Sequence, residues 1–177
     1  IIDADLTDDG SLRAATEAIE ADAIDLLINN AGTMGDSSFD KDGFSVQAFG
    51  RFDRDEWHRV FDINVFTPQA LTELLADRLA SAERGVAVTI SSMLGSNELN
   101  SSGSLYAYRA SKAAVNSIMK SMGSDLGKRG VIAVALHPGW VQTDMGGENA
   151  DVTVGDSASG LRKVIADLSP DDAGAFI

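Results

Sequence analysis

The chain has 177 residues, of which 44% are hydrophobic and 23% charged, ordinary proportions for one globular domain. Acidic residues outnumber basic ones 27 to 14, a net charge of −13. Such a surface repels phosphate backbones and anionic lipids, so no nucleic-acid or membrane partner is expected. There is no cysteine. That excludes disulfides, zinc–thiolate sites, thiol nucleophiles and iron–sulfur clusters, and it fits the cytoplasmic setting we expect.

In chain order, Ile1-Ile2-Asp3-Ala4-Asp5 reads as the end of a strand and Ile24-Asp25-Leu26-Leu27-Ile28 as a buried strand. A long loop follows from Gly32 to about Asp53. Trp57, Val60, Phe61, Phe66, Leu71, Leu74, Leu75 and Leu79 suit one helix system. Val86–Ile90 is a second buried strand, followed by a loop from Met93 to about Leu105. Ala107, Ala110, Ala114, Ile118, Met122 and Leu126 form a stripe at helical spacing, ended by Gly127 and Gly130. Val131–Leu136 is a third strand, 155–168 a further helix stopped before Pro170, and Ala175-Phe176-Ile177 the start of a strand. Near-continuous apolar strands alternating with helices predict an α/β fold, a doubly wound parallel sheet covered on both faces. Ligands of such sheets sit at the carboxyl ends of the strands.

Each apolar strand runs into a distinctive cluster: Asn29-Asn30-Ala31-Gly32, then Ser91-Ser92, then His137-Pro138-Gly139-Trp140-Val141-Gln142-Thr143. Taken alone, each could be turn chemistry. Tyr108-Arg109-Ala110-Ser111-Lys112 carries more information. A tyrosine and a lysine four apart share a helix face, and a nearby ammonium favours phenolate. A phenol so tuned can give or take a proton at a carbonyl or alcohol oxygen. Tyr106 is the competitor, but its partner four residues on is Ala110. Pro68 lies four residues after Asn64 and has no N–H, so the carbonyl of Asn64 loses its helical partner in a kinked helix. His58 and His137 read as surface and packing residues, Asp8-Asp9 and Asp171-Asp172 as solvated or capping pairs, and no cluster has metal-ligand spacing.

The double asparagine, Asn64, the double serine, Tyr-x-x-x-Lys and Pro-Gly occur in an order that resembles the short-chain dehydrogenase/reductase family. The resemblance runs from Asp5-Leu6-Thr7-Asp8 to Gly174-Ala175-Phe176. The stretches 108–114 and 138–147 look like its C-factor-like and sniffer-like carbonyl reductases. The resemblance implies a Rossmann-like oxidoreductase that moves hydride between a nicotinamide cofactor and a small carbonyl or alcohol. Tyr108 would be the general acid/base. Lys112 would lower its pKa and hold the nicotinamide ribose. Ser92, or alternatively Ser91, would hydrogen-bond the substrate oxygen. The gap from Ser92 to Tyr108 is a few residues longer than the family's commonest spacing, an enlarged loop. Asn64 would anchor a water behind Lys112. Asn30, Ala31 and Gly32 would line the adenosine ribose, and Asp5 with the Leu6 backbone would meet the adenine. Pro138, Gly139, Val141 and Thr143 would hold the nicotinamide end. Met34, Met93, Leu94, Trp140 and Met145 would line the pocket.

The family's glycine-rich pyrophosphate turn is not found ahead of Asn29. The chain is therefore expected to begin at the third strand, with the first two strands absent, and to stop in the last one. The residue that selects NAD(H) over NADP(H) would fall in that earlier part, and the subgroup leans to NADP(H). A homo-oligomer is expected, paired through the helices around 57–80 and 105–127. The rival reading is a non-catalytic dinucleotide-binding sensor of the same fold, against which the intact catalytic set argues.

Overall fold

The computed structural model describes residues 1–36 and 47–177. Among these, three parallel strands form the sheet in the order β1 (Leu26–Asn29), β2 (Val86–Ile90), β3 (Ile132–Leu136). Leu26 stands beside Val86, and Val86 beside Ile132. Alternation along each strand sends neighbouring side chains to opposite faces. Val86, Val88, Ile132, Val134 and Leu136 pack under Leu161, Val164 and Ile165 of α5 (Val154–Asp167), with Leu168. Ala87, Ala133 and Ala135 face the other way, under Leu75 and Leu79 of α3 (Thr67–Ala80) and Met119 and Leu126 of α4 (Tyr106–Gly127). Alanine on that face lets two long helices lie close to the sheet. Both faces are thus covered over β2 and β3, as the apolar runs predicted, but not over β1.

Two terminal expectations part ways. Ala175–Ile177 does run beside β3: Ala135 N donates to the Ala175 carbonyl and Ile177 N to the Ala135 carbonyl, both at 3.0 Å. The strand expected over Ile1–Asp5 is not formed. A strand exists only through a partner ladder, and no described strand lies beside that segment. Among the described residues nothing pairs with the outer side of β1, and Leu26 and Ile28, expected in a buried strand, are instead 42% and 45% exposed, because neither a neighbouring strand nor a helix lies over them there.

Helix starts follow local chemistry. Asp8 caps α1 (Asp9–Glu17), its carboxylate accepting from Ser11 N at 2.6 Å. No helix is expected there from the sequence; of the two readings of Asp8, solvated or capping, the structure shows capping. Asp53 caps α2 (Arg54–Phe61), accepting from Asp55 N and Glu56 N, and Thr153 caps α5. Asp172 closes a capping box with Ser169. Between α2 and α3 the helix widens into a π turn over Asp62–Phe66. There Thr67 N reaches back five residues to the Asp62 carbonyl, and Pro68 opens α3. This π turn lies directly before Pro68, where the missing proline N–H was expected to disturb the helix.

Two glycines give opposite expectations. A Cβ on Gly123 of α4 would overlap the backbone nitrogen of Gly174, so the terminal segment rests on bare helix backbone there. Gly160 of α5 has open space where its Cβ would be. Gly160→Ala should stabilise by about 1 kcal/mol through helix propensity. Gly123→Ala should instead destabilise by about 3 kcal/mol through overpacking. Thermal unfolding of the two variants checks the opposite signs.

Candidate active site

The carboxyl ends of the three strands and the start of α4 gather the polar residues that the apolar core excludes. Tyr108 and Lys112 stand one turn apart on α4, 7% and 5% exposed. The Lys112 ammonium lies 5.7 Å from the centre of the Tyr108 ring and donates to the Ile90 carbonyl at 2.8 Å. An ammonium has three protons, so two remain for another ligand. Burial pulls its pKa down from 10.5 to about 8.

For Tyr108 the expected direction is reversed. Burial pushes its pKa up, and a hydrogen bond with Ser92 opposes that rise. The ammonium sits over the ring and is turned to Ile90, so desolvation of the phenolate wins. A phenol held neutral in this way keeps its proton at neutral pH.

The two serines separate cleanly. Ser91 donates its hydroxyl to Asn116 Oδ1 at 2.5 Å and is committed to packing α4 on the sheet. Ser92, by contrast, accepts from Leu94 N at 3.1 Å and stands beside Tyr108. The structure brings Ser92, not Ser91, to the phenol.

Asn64 is 1% exposed in the π turn, and its amide is fully used. Oδ1 accepts from Thr33 N at 2.8 Å; Nδ2 donates to the Thr33 carbonyl at 2.8 Å and to Ser111 Oγ at 2.9 Å. The Ser111 hydroxyl in turn donates to the Tyr108 carbonyl at 2.8 Å. Thr33 and Ser111 went unnoticed in the sequence. The signal for Ser111 was its place three residues after Tyr108, facing the same neighbour. With the side chain so occupied, any water relay at this position falls to the Asn64 main chain.

Gly32 completes the cluster. A Cβ there would lie 3.4 Å from Asn64 Oδ1 and 3.6 Å from Lys112 Nζ, so glycine keeps the space before the ammonium open. Asn30 and Ala31 precede it, exposed at the end of β1. After β3, Gly139 takes φ +85°, and Val141 pairs with Val152 in a β-bridge. The Pro138 carbonyl accepts from Ser157 Oγ at 2.7 Å, and Thr143 Oγ1 accepts from Gly146 N at 3.1 Å. Trp140 donates its indole N–H to the Gly146 carbonyl at 2.8 Å, folding this loop on itself. Asp5 and Leu6 stand apart, at the other side of the π turn. Asp5 Oδ1 accepts from Thr7 N and Thr7 Oγ1, and the Leu6 carbonyl accepts from Thr67 Oγ1. His137, half-buried, accepts at Nδ1 from Met93 N at 3.3 Å, which ties two of the loops together. His58 is exposed, and no metal-binding cluster exists among the described residues.

A buried ammonium with two spare protons, next to an opening kept clear by glycine, suits a vicinal diol such as a ribose. The residues therefore fit a ribose, as a dinucleotide would present.

The chain is similar to several known proteins. The C-signal protein of Myxococcus xanthus is 38% identical over 165 residues, 93% of this chain and 94% of that protein. A 1-hydroxy-2-glutathionyl-2-methyl-3-butene dehydrogenase of Rhodococcus sp. (strain AD45) is 32% identical, over 99% of this chain and 84% of that one. Among solved structures, the NADPH-bound carbonyl reductase from chicken fatty liver superposes with a TM-score of 0.87 at 32% identity. All of this chain and 73% of that one are covered. The carbonyl reductase Sniffer of D. melanogaster gives 0.89 at 29% identity, over all of this chain and 74% of its own. The family model described as short chain dehydrogenase matches residues 1–152. The chain belongs to the short-chain dehydrogenase family.

Proposed function

We propose that this protein is a carbonyl reductase or alcohol dehydrogenase using a nicotinamide cofactor, with Tyr108 as the general acid/base. The single observation that carries this reading is the neutral, buried phenol of Tyr108 beside Ser92, with the Lys112 ammonium one helical turn away. Lys112 and Gly32 would hold the nicotinamide ribose, and Asn30 and Ala31 the adenosine ribose. Pro138, Gly139, Val141 and Thr143 would flank the nicotinamide, with Asp5 and Leu6 toward the adenine. The bound cofactor supplies or accepts the hydride. Ser92 and Tyr108 grip the substrate oxygen, and Tyr108 delivers its proton as charge develops there. Asn64 and Ser111 fix Tyr108 through its own carbonyl. The NADPH bound by the chicken carbonyl reductase supports NADP(H) as the preferred cofactor.

Full-length protein assayed on a panel of aldehydes and ketones, with NADPH and with NADH, should turn over at least one carbonyl, faster with NADPH. No turnover with either cofactor contradicts the reading and favours a dinucleotide-binding sensor. Phe66 and Tyr106 are 54% and 44% exposed on the helical side. A homodimer through α3 and α4 would cover that side. Sedimentation should give a dimer or larger, and a monomeric mass would end that expectation.

A further inference from the structure

The loop from Met93 to Leu105 joins Ser92 to Tyr108 through the start of α4, so its shape constrains their separation. It begins with a short 3₁₀ turn over Met93–Gly95. A Cβ on Gly95 would lie 2.7 Å from the Lys112 carbonyl carbon and 2.9 Å from Ala113 N, so this turn presses on bare α4 backbone. The loop ends in three successive left-handed residues, Gly103, Ser104 and Leu105, at φ +65°, +60° and +51°. Two of them carry side chains, for which that conformation is unfavourable. Leu105 gives α4 no side-chain cap, and Ser104 Oγ is buried without a partner. Such a turn persists only where its surroundings hold it.

Within the loop Gly103 N donates to Asn100 Oδ1 at 3.1 Å, and Arg109 adds a hold from α4. Its Nη1 donates to the Leu94 carbonyl at 3.5 Å and its Nη2 to Ser102 Oγ at 3.0 Å. One guanidinium therefore grips the first turn of the loop and the residue just ahead of the left-handed run. Both acceptors are neutral, and Nε is buried without a partner. A planar fork can span two acceptors in this way, whereas a lysine ammonium on a flexible stem reaches them poorly.

We propose that Arg109 is a positioning residue that staples the 93–105 loop to the start of α4, between Ser92 and Tyr108, and thereby restricts which carbonyl compounds reach them. The inference rests on the active site assigned above. Met93 and Leu94, at the stapled end, would meet the substrate. Loosening the staple relaxes that restriction without touching Tyr108, Lys112 or the cofactor side.

The test uses full-length protein with Arg109→Lys, Arg109→Ala, Ser102→Ala and the double variant Arg109→Ala/Ser102→Ala. Ser102 is exposed and outside the helix, so its loss leaves the fold intact. Amide exchange over residues 95–103 should rise by about tenfold in each variant, the lower end for losing a hydrogen bond to a charged group. Exchange in β2 and in the middle of α4 should stay put. The ratio of kcat/KM for a bulky over a small ketone should rise several-fold, mainly through KM of the bulky one, with KM for cofactor unchanged. Adding Ser102→Ala to Arg109→Ala should do no more than Arg109→Ala alone, because both cut one link. Unchanged loop exchange in Arg109→Lys and Arg109→Ala, or an unchanged substrate ratio, overturns the proposal. The exchange arm needs no turnover. An inactive wild type, which would overturn the reductase reading, is thus distinguishable from a loop that stays in place without Arg109.

Discussion

Tyr108→Phe should lower turnover by about 10²–10⁴-fold, the usual contribution of a general acid–base group, while leaving cofactor affinity within twofold. The ring of Tyr108 is buried and its hydroxyl meets Ser92. Phenylalanine keeps the packing and removes only the proton that the carbonyl oxygen needs. Cofactor titration by fluorescence, next to steady-state kinetics, separates the two effects. A rate loss below about tenfold would remove Tyr108 from the acid/base role.

Lys112→Met should have two effects of opposite kind. Turnover and cofactor affinity should both fall, because the ammonium protons left over from Ile90 are the donors for the ribose. Stability should rise. A pKa brought from 10.5 down to about 8 records the cost of burying the charge. That cost is about 3 kcal/mol, of which about 1 is forfeited when the Ile90 carbonyl loses its donor, so a gain of about 2 kcal/mol is expected. The sign follows from proton binding. The folded pKa lies below the unfolded one, so between about 8 and 10.5 the unfolded chain binds more protons at this group. The wild type therefore carries the whole cost below pH 8 and recovers it as pH rises toward 10.5. The advantage of the methionine variant should be complete at pH 7 and shrink across that range. Denaturant unfolding at pH 7 and pH 9.5 checks it. An unchanged or lowered stability at pH 7 would mean that the lysine is not charged at a cost.

The apolar runs at 86–90 and 131–136 located β2 and β3 almost to the residue, because strands covered on both faces leave no room for polar alternation. The first of the strands was placed two residues early. Ile24 N is instead taken by the Arg78 carbonyl, and pairing with β2 begins one residue later, where Val86 N reaches the Asp25 carbonyl. Helix α1 was invisible because only Leu12 and Thr16 of its residues are buried, too few for an apolar stripe. Tyr108 and Lys112 share one face as the spacing of four demands, and Pro68 marked the kink that seats Asn64. The direction of the Tyr108 shift was not legible. Spacing puts an ammonium near a phenol, but it does not say that both are buried or that the ammonium is turned to Ile90. Ser111 and Arg109 were overlooked inside the very motif that named Tyr108 and Lys112. Their partners, Asn64 on the π turn and Leu94 and Ser102 on the loop after β2, come from two other stretches of chain, and only folding brings them together.

The most direct test of the central claim follows the hydride itself. Full-length protein is supplied with reduced nicotinamide cofactor deuterated at the transferable position of C4 and with a ketone that it accepts, and the alcohol is weighed by mass spectrometry. One deuterium is expected at the carbinol carbon of the wild-type product, and almost no alcohol from Tyr108→Phe with cofactor still bound. Alcohol without the label, or labelled alcohol formed as fast by Tyr108→Phe, would contradict that claim.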